Sequence, residues 1–141
     1  KILGIDRRKM SKSYDNAIFM SDSPDKISTK VAQMITDPQR GRRSDPGNPD
    51  VCNVFSFHKL YTDQDTVAEI DSNCRTANIG CVECKKIMAK NLIKVLEPIR
   101  EKRQYYEARM DLVEDIIREG SNNARAVAQK TMEEVRAVVK I

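Results

Sequence analysis

Residues 88–117, MAKNLIKVLEPIREKRQYYEARMDLVEDII, carry the most regular apolar pattern of the sequence. The apolar side chains recur every three, four or seven residues, at Met88, Leu92, Leu96, Ile99, Tyr106, Met110, Val113 and Ile117. That spacing places them on one face of an α-helix, where they would form a core. Pro98 has no amide hydrogen and clashes with the preceding turn, so the pattern predicts a long helix with a kink at Pro98.

A shorter helix and a loop are predicted before this stretch. Ser23 is typical of a helix N-cap, and Pro24 follows it in the first helical position. The apolar residues of this helix are Ile27, Val31, Met34 and Ile35. Residues 36–50, TDPQRGRRSDPGNPD, contain three prolines and two glycines and cannot continue a helix or a strand.

Three more helices complete the prediction. One of them carries Val54, Phe55, His58 and Tyr61 at positions compatible with a helix. The next is capped by Asp63 or Asp65 and carries Val67 and Ile70 towards Cys74. Gly120 predicts a helix stop and Ser121 the N-cap of a last helix. Apart from a short extended piece at residues 2–5, the pattern is helical, so the fold class is mainly α, a small helical bundle.

The composition is that of one ordinary globular domain. Among the 141 residues, Lys and Arg number 25 and Asp and Glu 21, giving a net charge of +4. That mild excess is compatible with a polyanionic partner without requiring one. There is no apolar run of membrane-spanning length and no signal peptide, so a cytoplasmic protein without a membrane partner is expected. The chain begins on Lys1 within a pattern, which predicts a fragment of a longer protein.

The opening stretch KMSKSYDN, residues 9–16, has the chemistry of an anion-binding loop. Lys9 and Lys12 offer ammonium groups, and Ser11 and Ser13 offer hydroxyls, to a clustered anion such as a polyphosphate. On spacing alone, a solvated basic loop is the favoured interpretation. The order K-M-S-K-S, however, resembles the signature loop of the class I aminoacyl-tRNA synthetases.

This resemblance extends over nearly the whole chain. The segments KMSKSYDNAIFMSDSPDKI, TDPQRGRRSDPGNPDVCNVF, LEPIREKRQYYE and NARAVAQKTMEEVRAVV are similar to the C-terminal part of the tryptophan-specific branch of that family, more than to its tyrosine-specific relative. The resemblance implies that residues 1–20 are the signature loop and the end of a catalytic domain. It also implies that residues 21–141 form a helical domain that binds a tRNA anticodon. The family's Rossmann domain is absent from the chain and would lie upstream.

The resemblance also implies roles in ATP binding for Lys9, Met10, Ser11, Lys12 and Ser13. In the family this loop closes over ATP, with Mg²⁺ as its counterion, while the carboxylate of L-tryptophan attacks the α-phosphate. Lys9 and Lys12 are the implied catalytic residues, because their charges stabilise the departing pyrophosphate. Met10 is expected to pack as a hinge contact. Without the Rossmann domain, the chain alone is expected to be inactive.

The implied RNA partner is tRNA(Trp), and a homodimer is implied for the longer enzyme. Binding a single-stranded anticodon loop needs cations for the phosphates and groups that stack on or pair with bases. The candidate cations are Arg40, Arg42, Arg43, Lys85, Lys86 and Lys90, each of which is equally well explained as a solvated surface charge. His58 lies between Phe57 and Leu60 and is expected to pack in the interior.

Four cysteines lie within one third of the chain. Their spacing, C-x21-C-x6-C-x2-C, places Cys52, Cys74, Cys81 and Cys84 in a protein without a secretory signal, where disulfides are disfavoured. Cys81 and Cys84 are three residues apart and would share one helical face. Four thiolates suit zinc or an iron–sulfur cluster, and four buried, inert cysteines are the alternative.

The segment GCVECKK, residues 80–86, resembles the final cysteine pair in a subset of the tryptophan-specific enzymes that carries a [4Fe–4S] cluster beside the anticodon-binding region. The longest gap between cysteines here is one residue shorter than in that subset. The resemblance therefore implies a [4Fe–4S] cluster on the four cysteines, with zinc as the fallback.

Two functions from different classes follow from the sequence. One is part of an enzyme, the signature loop and tRNA-binding domain of a ligase for tryptophan and tRNA(Trp). The other is a standalone, metal-bearing RNA-binding helical module without catalysis. A Rossmann domain encoded directly upstream would decide for the enzyme.

Overall fold

A computed structural model of the chain describes residues 2–140, with Lys1 and Ile141 lying outside the described part. Five α-helices follow one another: α1 (Pro24–Gln33), α2 (Asn53–Tyr61), α3 (Gln64–Arg75), α4 (Cys81–Glu107) and α5 (Met110–Val139). Two short 3-10 turns, Lys12–Tyr14 and Pro49–Val51, lie in the connections. Residues 2–140 contain no strand, only an isolated antiparallel bridge between Leu3 and Lys9. The prediction of a mainly α fold is confirmed.

The start of α1 follows from its sequence. The Ser23 hydroxyl accepts a hydrogen bond from the amide of Lys26 at 3.3 Å, and Pro24 occupies the first turn. This satisfies one of the free amides at the helix start, as the predicted cap requires. Ile27 and Val31 are buried on one face of the helix. Ile35, expected on the same face, lies beyond the helix end and is 41% exposed.

The start of α3 decides between the two predicted caps. The Asp63 carboxylate accepts a hydrogen bond from the amide of Thr66 at 2.9 Å, while Asp65 lies in the first turn. Both positions favour an acid, because the helix start carries partial positive charge. Asp63 is therefore the cap, and α3 carries Ile70 into the interior.

The helix predicted over residues 88–117 is divided in two, although not at Pro98. α4 continues through Pro98 to Glu107. The break between α4 and α5 includes Arg109, whose backbone lies outside the helical region with φ −137° and ψ 62°. The Arg109 guanidinium donates to the Tyr105 carbonyl at 3.2 Å and so satisfies a carbonyl at the helix end.

The predicted helix boundary at Gly120 and Ser121 is wrong, because α5 runs through both residues. A glycine ends a helix when it adopts a left-handed backbone, and no glycine among the described residues has a positive φ. Without that conformation, an interior glycine costs about 1 kcal/mol relative to alanine. That cost is too small to stop a helix whose flanking residues all continue it.

We expect Gly120→Ala to stabilise α5 by about 1 kcal/mol, because alanine loses less backbone entropy on helix formation. An added Cβ meets no atom within 4 Å, so there is no steric penalty. Ala124→Gly, an exposed position in the same helix, is the matched reverse change and is expected to destabilise by a similar amount. Thermal unfolding followed by circular dichroism at 222 nm measures the change in stability of both variants. Changes of the same sign in the two variants would contradict the argument from helix propensity.

The described chain divides into two compact units, Lys1–Arg100 and Glu101–Ile141. The first unit holds two apolar clusters. The larger one comprises Ile27, Val31, Met34, Val54, Phe57, Met88, Ala89, Leu92 and Leu96. The smaller one comprises Phe55, Ile70 and Ile79. The core therefore consists of side chains from α1 to α4 and the residues just before α4.

Only the first half of the predicted apolar face is buried. Met88, Leu92 and Leu96 lie in the larger cluster, whereas Ile99 is 45% and Ile117 is 62% exposed. The expectation of a core along all of residues 88–117 is therefore wrong for its second half. Within residues 2–140, no helix is both long and apolar enough to cross a bilayer.

Candidate functional sites: the opening loop and the cysteines

The opening loop, defined as residues 9–13, has a fixed backbone path. The amide of Met10 donates to the Ile2 carbonyl at 3.2 Å, beside the Leu3–Lys9 bridge. Ser11 then caps the 3-10 turn Lys12–Tyr14, and its hydroxyl accepts from the Ser13 amide at 3.2 Å. The loop is thus built by local hydrogen bonds that the serines supply.

The opening loop presents its charges to solvent. Lys9, Lys12 and Ser13 are exposed, and neither ammonium group pairs with a carboxylate of residues 2–140. Met10 is half-buried and packs against the larger apolar cluster, while its role as a hinge contact stays a prediction. Two unpaired cations next to hydroxyl and amide donors can bind a polyphosphate.

Asn16 holds the opening loop from within, a role that the sequence did not reveal. It is 1% exposed. Its side-chain oxygen accepts from the Ser11 amide at 2.8 Å, and its amide nitrogen donates to the Lys9 carbonyl at 3.2 Å and to Asp6 at 2.7 Å. The order of residues places Asn16 close to the motif, but only the fold shows that it turns back into the loop.

The four cysteines come from the ends of three helices. Cys52 directly precedes α2, Cys74 lies in the last turn of α3, and Cys81 and Cys84 lie in the first turn of α4. Cys52, Cys74 and Cys84 all pack against the smaller apolar cluster. All four are free thiols. The fold therefore gathers residues far apart in sequence into one region, and Cys81 and Cys84 share one helical face as predicted.

Arg40 connects Cys81 to this group. Its Nη1 atom lies 3.8 Å from Cys74 Sγ and 3.9 Å from Cys81 Sγ. Its Nη2 atom donates to the carbonyls of Arg43 at 2.8 Å and Ile79 at 2.9 Å. The sequence predicted Arg40 as an RNA-binding cation, whereas the structure directs its guanidinium at two sulfurs.

Three of the thiols, those of Cys52, Cys74 and Cys84, favour their neutral form. Burial raises the pKa of Cys52 and Cys74, and it raises the pKa of Cys84 to about 12. The neighbouring thiols raise each of these pKa values further, and the nearby Arg40 opposes the rise at Cys74 and Cys84. Because thiolates are the metal-binding form, metal capture here would release protons.

The donor atoms fit a thiolate-bound metal group in chemistry. Four thiols with a cation beside two of them suit zinc or an iron–sulfur cluster, and no hard-metal site would be built from sulfur alone. As the side chains lie, residues 2–140 hold no three His, Cys, Asp or Glu groups placed to bind one ion. The structure thus brings the cysteines into one region without arranging them as a ready chelate.

His58 lies beside the cysteines and is fully buried. Its Nδ1 atom is 2.9 Å from the Thr62 hydroxyl, and its Nε2 atom is 3.3 Å from the Cys84 carbonyl. Burial lowers the pKa of His58, and the Cys84 carbonyl partly offsets that shift. The predicted packing role of His58 agrees with these contacts.

A basic cleft of about 590 Å³ adjoins the cysteines. It lies between the loop of residues 36–43 and the first turn of α4, and its lining includes Arg42, Arg43, Lys86, Glu83 and Cys81. Lys85 is instead engaged with the Ala32 carbonyl at 2.7 Å, which ties α4 to α1. Of the predicted RNA-binding cations, Arg40, Arg42, Arg43 and Lys86 all line this cleft, Arg40 with its guanidinium directed at the sulfurs.

The sequence profile of the tRNA synthetases class I (W and Y) matches residues 2–97, more than half of the chain. The chain belongs to this family of class I tRNA synthetases. In this synthetase chain, the opening loop, the cysteines and the basic cleft all lie within the matched residues. The family resemblance read from the sequence is confirmed.

Two curated tryptophan–tRNA ligases match the synthetase chain along its whole length. That of Aquifex aeolicus is 51% identical over 142 residues, covering 100% of this chain and 36% of the relative. That of Thermotoga maritima is 43% identical over 142 residues, covering 100% of this chain and 43% of the relative. The chain thus spans about two fifths of the length of these relatives.

A solved structure shares the fold of the synthetase chain. The tryptophanyl-tRNA synthetase of Campylobacter jejuni, complexed with ADP and tryptophan, has a TM-score of 0.88 at 24% identity. The match covers 99% of this chain and 43% of that one. At this identity, the likeness establishes the helical fold.

Proposed function

We propose that this chain supplies the ATP-binding loop and the tRNA-binding helices of a tryptophan–tRNA ligase. The observation that carries the proposal is the match of the entire chain, at 51% identity, to such a ligase. In the proposed enzyme, residues 1–20 belong to the catalytic domain and residues 21–141 to the anticodon-binding domain. We place the longer protein in the cytoplasm as a homodimer.

The proposed reaction has two steps. In the first, a carboxylate oxygen of L-tryptophan attacks the α-phosphorus of ATP and pyrophosphate leaves. In the second, a terminal ribose hydroxyl of tRNA(Trp) attacks the carbonyl carbon of the adenylate, takes the tryptophanyl group and releases AMP. Negative charge moves onto the departing pyrophosphate in the first step, where Mg²⁺ also neutralises phosphate charge. The exposed ammonium groups of Lys9 and Lys12 would stabilise this developing negative charge. Ser11 and Ser13 would add hydrogen bonds to phosphate oxygens, with Met10 as the packed hinge contact.

Arg42, Arg43 and Lys86 are the proposed RNA contacts. They line one cleft, so their charges can act on neighbouring phosphates of a single-stranded loop. Because Arg40 is engaged with sulfurs and Lys85 with a carbonyl, we assign neither to RNA. Lys90, an exposed residue on α4, is a further candidate.

We propose that Cys52, Cys74, Cys81 and Cys84 hold a [4Fe–4S] cluster, with zinc as the alternative. When bound, such a group cross-links the helix ends that carry its ligands and so rigidifies this part of the domain. Arg40 would hydrogen-bond to two of the ligand sulfurs, as its present contacts with Cys74 and Cys81 suggest. Because the basic cleft shares Cys81 with this group, we propose that the two form one functional region.

The proposal is tested by assaying the longer protein that contains this chain. We expect tryptophan-dependent exchange of pyrophosphate into ATP, with tyrosine inactive, because the relatives in Aquifex aeolicus and Thermotoga maritima are both named as tryptophan–tRNA ligases. The 141-residue chain is expected to show no exchange but to bind tRNA(Trp), with an affinity that falls as salt rises. RNA binding by the longer protein without any exchange would favour the alternative, a metal-bearing RNA-binding module.

A further inference from the structure

The segment that carries the opening loop is anchored to the helical core by two buried asparagines. Asn16 and Asn53 are each 1% exposed, although asparagine is usually a surface residue. Burying an amide is costly unless its donors and acceptor are all bonded. Their partners therefore show what the fold uses them for.

Asn16 bonds only to the segment that surrounds the opening loop. Its side chain contacts the Ser11 amide, the Lys9 carbonyl and Asp6, and its backbone carbonyl accepts from the Ile5 amide at 2.9 Å. These bonds engage both amide hydrogens and the side-chain oxygen. They fix the backbone on both sides of Met10, and hence the points from which the side chains of Lys9 and Lys12 extend.

Asn53 joins this segment to α2. Its Nδ2 atom donates to the Gly4 carbonyl at 2.7 Å, across 49 residues of sequence. Its own oxygen accepts from the Ser56 hydroxyl at 3.3 Å, which orients the amide. Because Asn53 is the first residue of α2, the bond fastens the segment to a rigid element of the core.

Gly4 brings the two asparagines into one network. A Cβ at this position would lie 2.3 Å from Asn16 Cγ and 2.7 Å from the Asn16 carbonyl oxygen. Only glycine leaves room for the Asn16 amide to lie directly against the backbone here. The resulting path runs from α2 through Asn53, Gly4 and Asn16 to the opening loop.

We propose that Asn16 and Asn53 are positioning residues for the activation step, holding the opening loop where Lys9 and Lys12 can meet the departing pyrophosphate. This rests on the proposed function, since it assigns the loop to adenylate formation. Neither asparagine touches ATP in this role. A loop displaced by about 1 Å loses much of its transition-state stabilisation, so the effect falls on kcat more than on the KM for tryptophan.

The test begins with the 141-residue chain and uses Asn16→Ala, Asn53→Ala and the control Asn91→Ala. Asn91 donates to the Thr62 hydroxyl at 2.9 Å, so its variant also removes one amide hydrogen bond from the first unit, away from the loop. Trypsin cleavage after Lys9 and Lys12 is expected to accelerate about tenfold in the two test variants and less than about twofold in the control. Unchanged cleavage, or equal acceleration in Asn91→Ala, overturns the proposal.

The same substitutions in the longer protein separate positioning from general stability. We expect kcat for pyrophosphate exchange to fall about tenfold in Asn16→Ala and Asn53→Ala, with the KM for tryptophan within about twofold. An unchanged kcat alongside an active parent overturns the inference and leaves the proposed function standing. If the unsubstituted parent shows no exchange, the proposed function fails, and the protease comparison alone decides whether the asparagines hold the loop.

Hydrogen exchange covers the case in which the variants do not fold. In the unsubstituted chain, the Ser11 amide is expected to exchange at least about tenfold more slowly than in an unfolded peptide, because it donates to a buried acceptor. Exchange at the unfolded rate overturns the proposal without any substitution.

Discussion

Purified without oxygen and supplied with iron, the chain is expected to be brown and to contain about four irons, because a cubane cluster binds one thiolate per iron. Cys81→Ser or Cys84→Ser is expected to remove nearly all of that iron. Serine does not ionise as a thiol does, and these two residues would supply half of the proposed ligands from a single helical turn. Iron and sulfide assays, with the visible absorption spectrum, measure the loss.

Val82→Ser is the matched control for these cysteine variants. Val82 lies between the two cysteines, is 70% exposed, and its replacement leaves all four thiols in place. We expect the control to keep its iron. Wild-type protein that holds neither iron nor sulfide under these conditions would refute the cluster. One zinc per chain would then identify the alternative metal, and no metal at all would leave four packing cysteines.

The second large effect is expected at Lys12. In the longer protein, Lys12→Ala should lower kcat for tryptophan-dependent pyrophosphate exchange by about a hundredfold or more, the usual consequence of removing one group that stabilises transition-state charge. The KM for tryptophan should change little, because in the proposed mechanism the ammonium acts on the leaving group rather than on the amino acid. Steady-state exchange kinetics at varied tryptophan and ATP measure both quantities.

Lys26→Ala controls for the loss of one surface lysine. Lys26 is exposed in the first turn of α1, and we expect its replacement to leave kcat and the KM for tryptophan unchanged in the same assay. A Lys12→Ala variant that loses tryptophan affinity while keeping kcat would contradict the assigned role. Equal losses in the two variants would point to a general effect of charge on the protein.

The elements that the sequence predicted well are those specified by neighbouring residues. Ser23 followed by Pro24 marks the start of α1, and Asp63 marks that of α3, because a cap needs only a side chain and an amide three residues away. The boundary at Gly120 was wrong because a glycine permits a left-handed turn without enforcing one. The exposed half of residues 88–117 shows a second limit of sequence-based prediction. An apolar helix face indicates that the helix packs against something, but it does not identify the element that covers it.

The candidate sites divide in the same way. The opening loop was singled out by the order K-M-S-K-S, which resembles a family signature, and the cysteines by their close spacing. Asn53 was invisible, since its bond to Gly4 spans 49 residues and exists only once α2 has packed. Arg40 was assigned to RNA because sequence shows a charge without its direction, and the fold turns that charge towards sulfur.

Gly47 restricts the side chain of Cys74, which would lower the entropic cost of ligand binding at the proposed cysteine site. Its amide donates to the Cys74 carbonyl at 2.9 Å, and a Cβ there would lie 2.6 Å from the Cys74 sulfur. The backbone at Gly47 therefore lies directly against that thiol and limits the rotamers that the Cys74 side chain can adopt. A side chain that is confined before it captures a ligand loses less conformational freedom in doing so. Cys74, in the last turn of α3, is thus confined by Gly47 before it meets any ligand that the proposed site would take.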